Sequence, residues 1–312
     1  MTTNQLLQIP EVPRKVVDVV VDTDAYNEID DQFAISYALL SPERINVIAL
    51  CAAPFHNKKS SGPKDGMEKS YDEILKLLAL MGRSSFADRV YRGSEAYLPD
   101  EQTPVPSEAA QKMVELARGY SPENPLYIVA LGAITNVASA ILLDREAMVN
   151  NTVLVWLGGH AYHWRDNAEF NLRQDVAAAR VIFDCGIGVV QLPCQGVVSA
   201  FTTSHGELTE WLSGTNPLAE YLLNNTVREA ESYARGTAWT RCIWDVTAVA
   251  WLLNDEDRFM YSYPTASPIC QYDHHYSFDP TRPLIRYVYS IRRDALFTDL
   301  FQKLRRLPAS EQ

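Results

Sequence analysis

Positive charge is in short supply in this chain. Its 312 residues carry 28 lysines and arginines against 39 aspartates and glutamates, a formal net charge of −11. No Lys/Arg cluster interrupts that balance, which argues against a nucleic-acid polymer as partner and for a neutral or cation-accompanied small molecule. Cysteine is scarce and unpatterned: Cys51, Cys185, Cys194, Cys242 and Cys270 make an odd count of five with no CxxC pair. That excludes a disulfide framework and a cysteine-pair zinc site, and points to a reduced, cytoplasmic setting. A run of about 18 apolar residues is also missing, so no membrane partner is expected. Met1–Pro13 lacks the basic start and apolar core of a secretory leader. Repeats, low-complexity tracts and linkers are absent too, which leaves one domain over residues 1–312.

What is present is an alternation. Short β-branched or apolar runs at Lys15–Asp22, Ile45–Ala53, Leu126–Leu131, Thr152–Leu157, Ile187–Leu192 and Leu284–Tyr289 read as buried strands. Between them, helical spacing marks Ile29–Leu40, Lys64–Met81, Ser107–Ala117, Ile134–Leu143 and Gln174–Cys185. Further helices are expected at Pro217–Ala234, Trp244–Leu253 and Asp294–Leu304. Strand–helix alternation predicts an α/β fold with an open, doubly wound, mostly parallel central sheet flanked by helices. The segments Pro54–Gly62 and Tyr261–Asp279 read as long polar and aromatic loops, candidate lids.

The most informative stretch is Asp22-Thr-Asp24-Ala-Tyr-Asn27-Glu28-Ile-Asp30-Asp31, with four aspartates and one glutamate at the carboxyl end of the first strand. Ligands bind at that edge in open α/β sheets. So many carboxylates repel one another unless a cation sits among them, and an all-oxygen set suits Ca²⁺ or Mg²⁺. The plain alternative is a solvated acidic loop with Asp31 opposing a helix dipole. Other strand ends add Gly132-Ala-Ile-Thr-Asn136, Gly158-Gly159, Glu169-Phe-Asn171 and the helix-opening Asp245. The carbonyl before Gly132 is of a kind that can ligate a hard cation.

Together these segments resemble the inosine–uridine nucleoside hydrolase family. That family carries DTDxGxDD, Gly-x-Leu-Thr-Asn, Gly-Gly, Ala-Glu-Phe-Asn and a late His-Asp in this order. The matches here are Asp22-Thr-Asp24…Asp30-Asp31, Gly132–Asn136, Gly158-Gly159…Ala168-Glu169-Phe-Asn171 and Trp244-Asp245, over roughly residues 16 to 255. The resemblance implies one Ca²⁺ held by Asp24, Asp31, Asp245 and the Leu131 carbonyl. It implies that Asp30, Glu169, Asn171 and Asp245 grip ribose hydroxyls, and that Asp24 takes a proton from the attacking water. It also implies a homodimer or homotetramer and a nucleoside-like substrate cleaved at its N-glycosidic bond. Cleavage builds positive charge on the sugar, which a carboxylate nest stabilises.

The chain departs from the family pattern on the base side. Five residues separate Asp24 from Asp30 where the family has three, and the inserted Asn27 and Glu28 become candidate ligand contacts. Trp244 stands in place of the late histidine; indole stacks on a base but does not protonate it. Pro104-Val-Pro106-Ser107 replaces an expected His-Gly segment, and the second strand's loop asparagine maps to His56 or Asn57. His160, His163, Trp164 and Arg165 are offered as a rebuilt base side, with His163 the expected acid because histidine titrates near neutrality. Three other readings compete, one of which keeps the chemistry but changes the leaving group to nicotinamide or a modified base. A haloacid-dehalogenase-type phosphatase needs Thr or Val where Tyr26 stands. A nucleoside- or ribose-binding protein that keeps the metal site but hydrolyses little is the non-enzymatic alternative.

Overall fold

The computed structural model describes residues 9–307, so the leader reading over Met1–Pro13 and the 1–312 domain bounds fall partly outside the described residues. The chain begins with β1 (Val17–Thr23), β2 (Ile45–Ala52) and β3 (Val90–Arg92). β4 (Leu126–Ala130), β5 (Thr152–Leu157) and β6 (Gly188–Leu192) follow. β7 (Thr202–Thr203) and β8 (Arg241–Cys242) pair as a small separate ladder. β9 (Met260–Ala266) returns to the main sheet, β10 (Ile269–Cys270) and β11 (Tyr276–Ser277) form a hairpin, and β12 (Leu284–Ile291) is the last strand. The main sheet has eight strands in the order β3-β2-β1-β4-β5-β6-β12-β9, parallel except for the edge strand β9.

Side chains alternate across this sheet. Val19 and Val21 face one core layer, with the helices Asp31–Leu39, Val246–Trp251 and Arg293–Arg305. Val20 faces the other, with the helices Glu108–Ala117, Thr135–Leu143 and Val176–Cys185. Both faces are covered, which is why the strands read as continuous apolar runs. The strand order reverses direction between β1 and β4, and a crevice opens there at the strands' carboxyl ends. The register sets Asp22 beside Ala130 and Cys51, so the residues after Thr23 and after Ala130 emerge side by side at the crevice.

The described residues differ from the sequence expectation in a few elements. Tyr261–Asp279 is not a lid loop: it contains β9 and the β10–β11 hairpin. Tyr261, Ser262 and Tyr263 already alternate, and Pro264 is tolerated because β9 is an edge strand. The helix expected from Gln174 starts at Val176, because Asp175 caps it by accepting from the Ala178 N–H. Short helices at Arg145–Asn151 and His205–Leu212 were not anticipated. All five cysteines are free and buried. Among the described residues no helix is long and apolar enough to cross a membrane.

Candidate functional site

The cleft at the switch point has a volume of about 240 Å³, the scale of one small molecule. Its floor is built from the segment after β1. Asp24 is buried, and the turn that follows it, closed by the Asn27 N–H donating to the Asp24 carbonyl at 2.7 Å, delivers Asp30 and Asp31 to the start of a helix. Asp245 stands at the start of another helix, and its N–H donates to Asp30 Oδ2 at 3.3 Å. Neither Asp30 nor Asp245 caps its own helix through its side chain, so both carboxylates are left for the cleft. Helix N-termini favour negative charge there.

One carboxylate oxygen from each of Asp30, Asp31 and Asp245 lies within 4.8 Å of the others. Burial raises the pKa of each, to about 6 for Asp31; for Asp30 and Asp245 the neighbouring carboxylates add to the rise. Asp24 is pushed up in the same way, first by burial and then by Asp31 and Asp30. The Thr23 hydroxyl donates to Asp31 Oδ1. Asp24 Oδ2 is buried without a hydrogen-bond partner. An orphaned carboxylate oxygen beside an all-carboxylate triplet is what a hard divalent cation would satisfy, so the residues fit such an ion. The triplet differs from the expected ligand set by containing Asp30 and not Asp24.

The neighbouring motifs support this floor. A Cβ at Gly132 would lie 3.0 Å from Asp24 Cγ, a tight contact that would press on that carboxylate. Asn136 donates to Asp22 Oδ1 at 2.8 Å and to the Ala52 carbonyl at 3.1 Å, tying β1 to β2. Asn171 Nδ2 donates to the carbonyls of Leu131 and Leu157 at 2.7 and 3.0 Å, bridging two strand ends. The Glu169 carboxylate accepts from the N–H groups of Gly159, Asn171 and Leu172 at 3.0, 2.8 and 2.8 Å. Gly159 has φ of +78°, and a side chain there would collide with the Tyr276 hydroxyl.

Of the residues singled out from sequence, Asp24, Asn27, Glu28, Asp30, Asp31, Leu131, Glu169, Asn171, Trp244 and Asp245 all line the cleft. His56, Asn57 and His163 do not. Asn57 stands behind the lining and donates to Asn27 Oδ1 at 2.6 Å. His56 is exposed; its N–H donates to Gln174 Oε1 at 2.7 Å, which ties the Pro54–Gly62 loop to the end of the helix Phe170–Gln174. His163 is exposed near Gly196, whereas His160 lines the cleft. His160 Nδ1 accepts from the Gln195 N–H at 3.3 Å, which leaves Nε2–H as its donor, and burial lowers its pKa.

Sequence reading did not single out Arg241, Cys194 or Gln195. Arg241 Nη2 donates to Glu28 Oε2 at 2.8 Å and lies 3.6 Å from Glu229, compensating the inserted glutamate. An uncompensated acidic insertion was a signal for such a partner, though not for which arginine. Cys194 and Gln195 follow β6, and the strand-end rule applied there would have found them.

A carboxylate-floored cleft at the switch point of a mostly parallel sheet is a place for a small molecule accompanied by a hard cation. The chain belongs to the inosine–uridine preferring nucleoside hydrolase family, whose model matches residues 19–276. It is therefore an enzyme of the N-glycosidic hydrolase type. It is 29% identical to the pyrimidine-specific ribonucleoside hydrolase RihA of Citrobacter koseri, with 73% of this chain and 77% of that protein covered. It is 28% identical to the probable uridine nucleosidase 2 of Arabidopsis thaliana, over 65% and 67%. Among solved structures, the plant nucleoside hydrolase PpNRh1 superposes with a TM-score of 0.73 at 21% identity, covering 94% of this chain and all (100%) of that one. The purine-preferring ribonucleoside hydrolase from Gardnerella vaginalis gives 0.72 at 18% identity, over 93% and 98%. These two likenesses establish the fold.

Proposed function

We propose that this protein hydrolyses the N-glycosidic bond of a ribonucleoside or related N-riboside, releasing ribose and base, with one Ca²⁺ per chain. The observation that carries the reading is the convergence of Asp24, Asp30, Asp31 and Asp245, all buried, in a cleft open to a small molecule. Asp31 and Asp245 would hold the cation together with Asp24 and the Leu131 carbonyl, and Asp30 is close enough to share it. When bound, the ion supplies a lowered pKa for a coordinated water and cancels the repulsion among the carboxylates.

The side chains divide the remaining work. Asp24, with an unpartnered oxygen, takes the proton from the attacking water. Asp30, Glu169, Asn171 and Asp245 orient the ribose, and their negative charge favours the oxocarbenium-like sugar. Asn27 and Glu28 close the same side. Trp244 stacks on the departing base. The role expected of His163 passes to His160, whose Nε2–H is a neutral hydrogen-bond donor to the leaving group. A homodimeric or homotetrameric state and a cytoplasmic setting belong to this reading and rest on the family resemblance and the reduced cysteines.

The test is release of free ribose from uridine, cytidine, inosine, adenosine and p-nitrophenyl riboside, with added Ca²⁺ or with chelator. Calcium-dependent release supports the reading. Tight nucleoside binding with no turnover of even the nitrophenyl riboside would replace it with a binding role.

A further inference from the structure

The cleft is lined by six carboxylates, those of Asp24, Glu28, Asp30, Asp31, Glu169 and Asp245, and by one guanidinium, that of Arg173. A guanidinium lining a cleft with carboxylates can pair with one of them, as the largely buried Arg241 does with Glu28. Arg173 does not: among the described residues it has no ion pair and no side-chain hydrogen bond, and its N–H donates within the backbone to the Glu169 carbonyl at 2.8 Å. It is exposed at the wall of the cleft, its guanidinium lying 5.3 Å from the centroid of the Phe170 ring. Phe170, Arg173, His160 and Gln195 line the same cleft as the carboxylates. Burial first, and then the charges of Arg165 and Arg173, oppose protonation of the His160 ring. The cleft therefore has two electrical characters: carboxylates that suit hydroxyls and a cation, and a cationic edge with an imidazole N–H beside it.

A cation left unpaired beside so much available negative charge is suited to a partner that arrives with the substrate. Resting on the hydrolase reading, we propose that Arg173 recognises an oxyanion on the riboside, so that the preferred substrates carry a phosphate or a carboxylate. The planar guanidinium can hold either group through two parallel hydrogen bonds, with the His160 Nε2–H within the same cleft as a further donor. Without Arg173 the six carboxylates would repel such a group, so the residue sets specificity by offsetting repulsion as well as by attraction.

Three ribosides separate the sources: uridine, uridine 5′-monophosphate and orotidine, whose base carries a carboxylate. For the wild-type protein, kcat/KM for one of the two anionic ribosides should exceed that for uridine by about tenfold or more. In Arg173→Gln that ratio should collapse toward one, and Arg173→Lys should keep part of it. Preference for the 5′-monophosphate places the anion on the sugar; preference for orotidine places it on the leaving group. Turnover of uridine with no anionic preference, or a preference untouched in Arg173→Gln, overturns the proposal and leaves the hydrolase reading standing. If no riboside is cleaved, the hydrolase reading fails and calorimetry decides the inference. Ribose 5-phosphate or orotate should then bind wild-type protein at least about tenfold tighter than Arg173→Gln, and equal binding to both proteins overturns it.

Discussion

On the floor of the cleft, Asp24, Asp30, Asp31 and Asp245 are all but sealed from solvent; the first three follow β1, whose register against β4 is set by the sheet, and Asp245 opens a helix after β8. On the outer wall, Arg173 and His163 are exposed and His160, Gln195 and Trp244 only half-buried. Apart from Asp245, the floor is dictated locally: a strand end, a run of carboxylates and a glycine close against Asp24. The wall is assembled from turns after β5 and β6 and from the segment after β8, which meet only in the folded chain. On the proposed reading the floor carries out the hydrolytic chemistry and the wall selects the substrate. Variants should separate the two, with large losses of rate on the floor and smaller, substrate-dependent effects on the wall.

The sharpest contrast comes from Asp24→Asn, which removes the proposed base while keeping shape. It should lower kcat about 10³-fold on every riboside, an activated nitrophenyl riboside included, as steady-state assays would show. Chelation tests the floor without mutation. It should abolish turnover reversibly, and for calcium at about 100 times its dissociation constant the added stability is about 2.7 kcal/mol. A melting experiment should then show a fall of roughly 5 °C on chelation. On the wall, His160→Ala should cut nucleoside turnover by about 10–100-fold and spare the nitrophenyl riboside, whose leaving group needs no help. His163→Ala, by contrast, should leave both rates near wild type, and equal losses in the two variants would break the distinction between these histidines. The smallest effects belong to the inserted turn. Because Glu28 is half exposed, Glu28→Gln should cost less than about 1 kcal/mol in denaturant melts. Arg241→Gln should cost more, since it leaves Glu28 and the buried Asp30 without their cation.

The same contrast explains what was legible in the sequence. The parallel sheet could be read because its strands, buried on both faces, are continuous apolar runs bounded by turn residues. The carboxylate floor could be read because four aspartates close after one strand leave few physical alternatives. Asn136 was noticed as part of a turn, but its work in tying Asp22 to Ala52 is a tertiary fact that no spacing reveals. Choosing between His160 and His163 depended on which way one turn faces, and the titration argument for His163 was blind to that. β9 was missed because its tyrosines and proline looked like loop composition, when they mark an edge strand. Arg173 stands two residues after the Glu169-Phe-Asn171 segment, yet its lack of a partner becomes visible only beside the carboxylates that line the same cleft.

The most direct test of the account is to strip the protein of metal, titrate calcium back, and follow both ion binding and ribose release from uridine and inosine. The account predicts no release from the stripped protein, recovery that saturates with one ion bound per chain, and loss of both signals in Asp245→Asn. Full activity in the stripped protein, or calcium binding unchanged in Asp245→Asn, would contradict it.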